Sequence, residues 1–286
     1  MTSRPVGFIG LGQIGKPMAR RLLAWPGGLW VYDVAEEPVA ELASAGAHVA
    51  ASVAELASHV GLVCVMVRDD AQVRDVVDEV ISSRAGSLVV AIHSTVSPGI
   101  PAELAVRAAP HGIRVVDAPV SGGAMGAAAG TLAVLVGGCD EAFAVCAEPF
   151  ALVGSMVVHA GPVGTGTAMK LARNLIHFAS FTAVTEAQQL AAAAGLDLVE
   201  LGEVVRHTDA VTGGPGAIMH RATVAPLHPD DSWFAVMDHV RALGEKDLGF
   251  AVHLADELHV DVPMTRLALE RLAPGLGLPP IGGESR

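Results

Sequence analysis

Val6-Gly7-Phe8-Ile9-Gly10-Leu11-Gly12-Gln13-Ile14-Gly15 is the stretch on which the reading of this chain turns. Residues 6–10 read as a short buried strand, and residues 13–25 as a helix. Between them, Gly10, Gly12 and Gly15 fit the spacing G-x-G-x-x-G. Taken alone the pattern is weak, because glycine-rich turns are common. Here it follows an apolar strand and opens a helix, and a second strand at 29–33 ends on Asp33. A carboxylate about twenty residues after the glycines stands where it meets ribose hydroxyls, while the glycines admit a pyrophosphate to the backbone. The helix N-terminus adds N–H groups and partial positive charge. Gly10, Leu11, Gly12, Gln13, Ile14, Gly15 and Asp33 are therefore candidate cofactor-binding residues. The alternative is an ordinary strand-turn-helix with Asp33 in a turn.

Asp33 also bears on which dinucleotide is held. A 2′-phosphate placed about 4 Å from this carboxylate meets repulsion of about 4 kcal/mol per charge pair at an effective dielectric near 20. No arginine follows in Asp33-Val34-Ala35-Glu36-Glu37 to offset it. The expected cofactor is NAD.

Outward from this unit, apolar runs at 62–67, 88–92 and 114–117 read as further strands, with helical spacing at 71–80. Strand alternating with helix implies a parallel sheet covered on both faces. After Gly161-Pro162-Val163-Gly164 the pattern changes. Residues 167–194 form one long helical stretch, nearly apolar all round, which calls for burial against other helices or another subunit. The remainder is helical in character, and the Gly- and Pro-rich tail after Pro274 reads as loose.

Composition narrows the function classes. The chain has 286 residues, enough for two domains, and its core must be built from Ala, Val and Leu because only 4% of residues are aromatic. A net charge of -12 and a pI near 5.4 argue against a nucleic-acid partner. Mean hydropathy is +0.48, and residues 118–139 and 150–169 carry no charge. Glycines and prolines interrupt both stretches, so they read as loops and turns and no membrane span is expected. The N-terminus lacks the apolar core of a signal peptide. Cys64, Cys139 and Cys146 show neither metal-ligand spacing nor a disulfide framework. The expectation is a cytoplasmic protein with no metal.

Two more segments carry chemistry. In Asp117-Ala118-Pro119-Val120-Ser121-Gly122-Gly123, the Ser121 hydroxyl and the backbone of Gly122 and Gly123 can hold a carboxylate, or else form a plain turn. In 164–174, Lys170 and Asn174 share one helix face, one turn apart. A partly desolvated lysine there can serve as general acid or base, whereas an isolated helical lysine is more commonly solvated.

Four stretches taken together, GFIGLGQIGKPMA at 7–19, DAPVSGGAMGAAAGTL at 117–132, GTGTAMKLARN at 164–174 and EKDLGFA at 245–251, resemble the β-hydroxyacid dehydrogenases. The likeness is to the 3-hydroxyisobutyrate dehydrogenase group, which is 6-phosphogluconate dehydrogenase-like, and it spans nearly the whole chain in order. It implies an α/β protein: an N-terminal Rossmann-type doubly wound parallel sheet at 1–163, plus an all-helical C-terminal domain at 164–286 for substrate and oligomerisation. It also implies that Lys170 is the catalytic acid/base, that Asn174 binds substrate, and that Ser121, Gly122 and Gly123 hold its carboxylate. By the same resemblance Val67, Arg68, Thr95 and Lys246 border the cofactor. Two departures stand out. His93 occupies part of a segment that often reads Asp-Ser-Ser-Thr, where it packs beneath the cofactor, and His239 replaces a frequent Phe facing the substrate.

The reading that results is an NAD-dependent oxidoreductase acting on the CH-OH group of a small hydroxy acid, reversibly giving a semialdehyde, as a homodimer or homotetramer. Two alternatives remain: an NADPH-dependent reductase of glyoxylate or succinic semialdehyde, and a non-catalytic binding module on a dehydrogenase-like scaffold.

Overall fold

The computed structural model describes residues 3–83, 86–216 and 225–279. It forms two compact units, Met1–Arg173 and Asn174–Arg286.

The first unit alternates strand and helix. In chain order it runs β1 (Val6–Ile9), α1 (Gly15–Leu22), β2 (Leu29–Tyr32), α2 (Glu36–Ser44), β3 (His48–Val49), α3 (Val53–His59), β4 (Leu62–Val65) and α4 (Asp70–Ser83). It continues with β5 (Leu88–Ile92), α5 (Ile100–Ala108), β6 (Ile113–Asp117), β7 (Val120–Ser121), α6 (Gly123–Ala129), β8 (Ala133–Gly137), α7 (Asp140–Ala151) and β9 (Met156–Gly161). Strand order is β3-β2-β1-β4-β5-β6-β8-β7, with β9 also paired to β8. From β3 to β6 every pairing is parallel, whereas β8 runs antiparallel to β6. The expected doubly wound parallel sheet is present.

Alternation along each strand feeds two cores, one per face. Val6 and Phe8 of β1 join one cluster with Met18, Leu22 and Phe150, while Ile9 joins the other with Leu56, Val77 and Leu104. Phe8 is wholly buried; truncating such a side chain to Ala costs about 3–5 kcal/mol.

Several elements differ from the expectations. The segment 118–139, read as loops, contains β7, α6 and β8, because Val134, Leu135 and Val136 bury their side chains in the sheet despite the surrounding glycines. The helix expected over 13–25 spans only Gly15–Leu22, since the turn keeps Gln13 and Ile14.

A long helix, α8 (Thr165–Ala193), begins in the first unit; its residues from Asn174 onward belong to the second. The other described elements of the second unit are helical: α9 (Leu198–Thr212), α10 (Phe234–Glu257), α11 (Pro263–Gly275) and one short 3-10 turn. Buried Glu186 of α8 caps α11, accepting from the Met264 and Thr265 backbone N–H groups at 2.6 and 2.8 Å and from the Thr265 hydroxyl at 2.8 Å. The tail after Pro274, read as loose, is packed where described: Leu276 and Leu278 are buried beside Met237 and Ala273. Residues 280–286 lie outside the described residues. Among the described residues, no helix is long and apolar enough to cross a membrane.

Candidate active site

The turn after β1 uses its glycines for three different purposes. Gly10 has φ 92°, and a Cβ there would sit 2.1 Å from the Met66 carbonyl oxygen. Gly15 lets α1 pack onto the turn, since its Cβ would lie 2.0 Å from the Gly10 oxygen. Gly12 faces open space. Gly10 turns the chain, Gly12 leaves its backbone open, and Gly15 allows helix and strand to meet. No side chain caps the start of α1, and its first turn carries no acid. The N–H end of the helix is thus left to an anion.

Asp33, just past β2, closes this turn from the side. Its Oδ2 accepts from the Leu11 N–H and its Oδ1 accepts from the Ala35 N–H at 2.8 Å. A cleft of about 480 Å³ opens here, lined by Gly10, Gly12, Asp33, Val67 and Arg68, with Tyr32, Gln72, Asp75 and Val76 on its walls. The open glycine and the carboxylate border one space. That donor set fits a dinucleotide.

The loop after β4 is held by a residue to which the sequence reading assigned no role. Ser94 is buried; its Oγ accepts from the Val67 N–H and donates to the Val67 carbonyl, both at 2.8 Å. Arg68 N–H donates to Gln72 Oε1 at 3.0 Å. Thr95, one residue on from Ser94, is exposed. His93 is buried, stacked on Phe8 and edge-on to Phe150, with Nδ1 2.7 Å from the Ala118 oxygen. Burial pushes its imidazole down to about 4, so the ring is neutral at pH 7 and Nδ1 is the donor.

Ser121 ends β7, paired with Ala133, and Gly122 and Gly123 follow with φ 133° and 63°. Lys170 is 9% exposed, and burial, aided by the charge of Arg173, lowers its ammonium below the usual lysine range. Asn174 stands four residues on along α8, in the second unit. His239 and Lys246 lie seven residues apart on α10, both exposed, with Lys246 Nζ 3.1 Å from Asp247 Oδ1. The first unit therefore gathers the nucleotide-cleft residues, and Asn174, His239 and Lys246 belong to the second. Besides Ser94, the sequence reading assigned nothing to Asp117; its signal was a carboxylate directly after the apolar pair Val115-Val116 at the end of a strand.

A Rossmann sheet whose glycine turn and Asp33 border one cleft is the architecture of a nicotinamide-dinucleotide oxidoreductase. Residues 5–161 match the family described as the NAD binding domain of 6-phosphogluconate dehydrogenase. Residues 164–275 match the one described as NAD-binding of NADP-dependent 3-hydroxyisobutyrate dehydrogenase. The chain belongs to the β-hydroxyacid dehydrogenase family. It is 51% identical to an uncharacterized oxidoreductase of Mycobacterium tuberculosis, over 98% of this chain and 97% of that one. It is 32% identical to the NAD-dependent L-serine dehydrogenase of Pseudomonas aeruginosa, over 93% and 90% of the two chains. A crystal structure of a protein from Mycobacterium avium superimposes with TM-score 0.93 at 50% identity, covering 96% of this chain and 99% of that one.

Proposed function

We propose that this protein oxidises a small 3-hydroxy acid, of the 3-hydroxyisobutyrate or L-serine type, to its semialdehyde with NAD, and reduces it in reverse. The observation that carries the reading is Lys170: a buried lysine whose ammonium is destabilised by its surroundings, on the helix that follows the dinucleotide-binding sheet. Neutral Lys170 takes the hydroxyl proton as the carbonyl forms. Bound NAD supplies the acceptor for the hydride leaving carbon. Ser121, Gly122 and Gly123 fix the substrate carboxylate, and Asn174 orients a substrate oxygen, so the reacting C–H bond is presented in one pose. Thr95 and Lys246 border the cofactor, and His239 lends the substrate side a polar group. Proton transfer of this kind contributes about 10²- to 10⁴-fold.

NAD is favoured because Asp33, already engaged by Leu11 and Ala35, sits beside the cleft without a compensating cation in the residues that follow. The description of the family matched at 164–275 names an NADP-dependent enzyme, which keeps an NADPH-dependent semialdehyde reductase as the second reading.

The cofactor domain is taken as 1–163 and the helical substrate domain as 164–286, in a cytoplasmic homodimer or homotetramer. Phe178, Phe181 and Val184 of α8 are each about half exposed, a large apolar surface for a lone chain. Sedimentation at micromolar concentration returns a dimer or larger species on this reading; a monomer removes it. For the activity, NAD reduction is screened with 3-hydroxyisobutyrate, L-serine, 3-hydroxypropionate and glycerate. Turnover with at least one is expected, and none with any would remove the proposal.

A further inference from the structure

The last residue of β6, Asp117, is completely buried, yet its side chain reaches out of its own strand to another element. Its Oδ1 accepts from the Gly164 N–H and its Oδ2 from the Thr167 N–H, each at 2.6 Å. These are N–H groups at the start of α8, which its own turns leave without partners. A helix normally finds a cap in the residue just before it. Here the preceding residue is Gly164, which has no side chain, and the cap comes from 47 and 50 residues away.

The backbone around this cap is built for close approach. A Cβ on Gly137 would lie 2.4 Å from Asp117 Oδ1, and one on Gly166 would lie 2.2 Å from the Leu135 oxygen. The first turn of α8 therefore rests directly on β8, with the carboxylate as its fixed point. Lys170 follows Thr167 by three residues, one turn along the same helix face. In the other direction, the backbone of Asp117 continues through Pro119 into Ser121, Gly122 and Gly123.

We propose that Asp117 is a positioning residue that holds the Lys170 helix in register with the Ser121–Gly123 segment, so that the proton acceptor and the carboxylate anchor act on one substrate. This rests on the reading of Lys170 as acid/base. Displacement of such a group by about 1 Å is enough to cost about 10²-fold in rate.

The test uses Asp117→Asn, which keeps size and shape but sets an amide N–H₂ against a backbone donor. Gly166→Ala is the companion variant, because it wedges α8 from β8 with Asp117 intact. Two readouts are taken on the full chain. The first is kcat per NADH-binding site with the best hydroxy acid of the panel, alongside the NADH Kd. The second needs no turnover: acetylation of native protein by acetic anhydride, followed by mass spectrometry at the chain's three lysines, Lys16, Lys170 and Lys246. In the unaltered protein the Lys170:Lys246 labelling ratio is the reference, set jointly by the burial of the Lys170 side chain and by its destabilised ammonium. Both variants raise the Lys170:Lys246 labelling ratio about fivefold or more and lower kcat per site about 10- to 100-fold, with NADH Kd within about twofold. Unchanged kcat and labelling in Asp117→Asn would overturn the inference. So would loss of NADH binding, which would make Asp117 a support for the whole sheet. The two claims fail separately. An active Lys170→Ala removes the acid/base reading whatever Asp117 does. An inactive Lys170→Ala beside a fully active Asp117→Asn removes only the positioning role.

Discussion

Ser94 satisfies both backbone hydrogen-bonding groups of Val67 with one hydroxyl, accepting from the N–H and donating to the carbonyl at 2.8 Å each. This tie fixes the loop after β4, on the wall of the nucleotide cleft, against the end of β5. A hydroxyl engaged twice holds a loop that has no regular ladder of its own.

Ser94→Ala leaves a donor and an acceptor of Val67 without that partner, at a cost of about 1–3 kcal/mol. Denaturant unfolding should register a loss in that range, and NADH titration should show weaker binding by several-fold. A variant with unchanged stability and NADH affinity would mean that water replaces the hydroxyl without consequence.

Asp33 should set the preference between the two dinucleotides. The unaltered protein is expected to bind NADH about 10²-fold or more tighter than NADPH, in line with about 4 kcal/mol of repulsion less screening. Asp33→Asn removes the charge and keeps an acceptor for the Leu11 N–H, so the ratio should narrow by about tenfold. Parallel fluorescence titrations with the two reduced cofactors measure it, and tighter NADPH binding by the unaltered protein would favour the reductase reading.

His93 makes a prediction about pH. Its value in the folded protein, about 4, lies below the ordinary 6.5, so the unfolded chain takes up the proton first. Its stabilising neutrality is complete above pH 6.5 and is lost as pH falls from 6.5 toward 4. The full loss is about 3 kcal/mol from this one group. Between pH 7 and pH 5 unfolding free energy should fall by about 2 kcal/mol of that total, and His93→Gln, which retains a donor for the Ala118 oxygen, should flatten that part of the slope. An equal slope in the variant would place the effect elsewhere.

The sheet and the nucleotide cleft were legible because local pattern and global role coincide there. Gly10, Gly12, Gly15 and Asp33 sit at fixed offsets from a strand, and the physical reason for each offset is local. The elements between 118 and 139 were hidden for the opposite reason. Seven-residue α6 and two-residue β7 are too short to show a period, and the glycines around them spoke louder than Val134 to Val136. Ser94 and Asp117 act through contacts 27 and 47 to 50 residues away, which no local spacing announces. The tail failed for a related reason: proline and glycine content describes backbone tendency, while Leu276 and Leu278 are held by burial beside Met237.

Replacement of Lys170 by Ala, assayed by NADH formation with the hydroxy acid that the unaltered protein turns over fastest, removes the proposed proton acceptor and nothing else of the site. Its kcat should fall by about 10²- to 10⁴-fold while NADH Kd stays within about twofold, because other residues line the cleft beside Asp33. A variant that keeps more than about one tenth of the original kcat, with NADH bound equally well, would contradict the acid/base reading of Lys170.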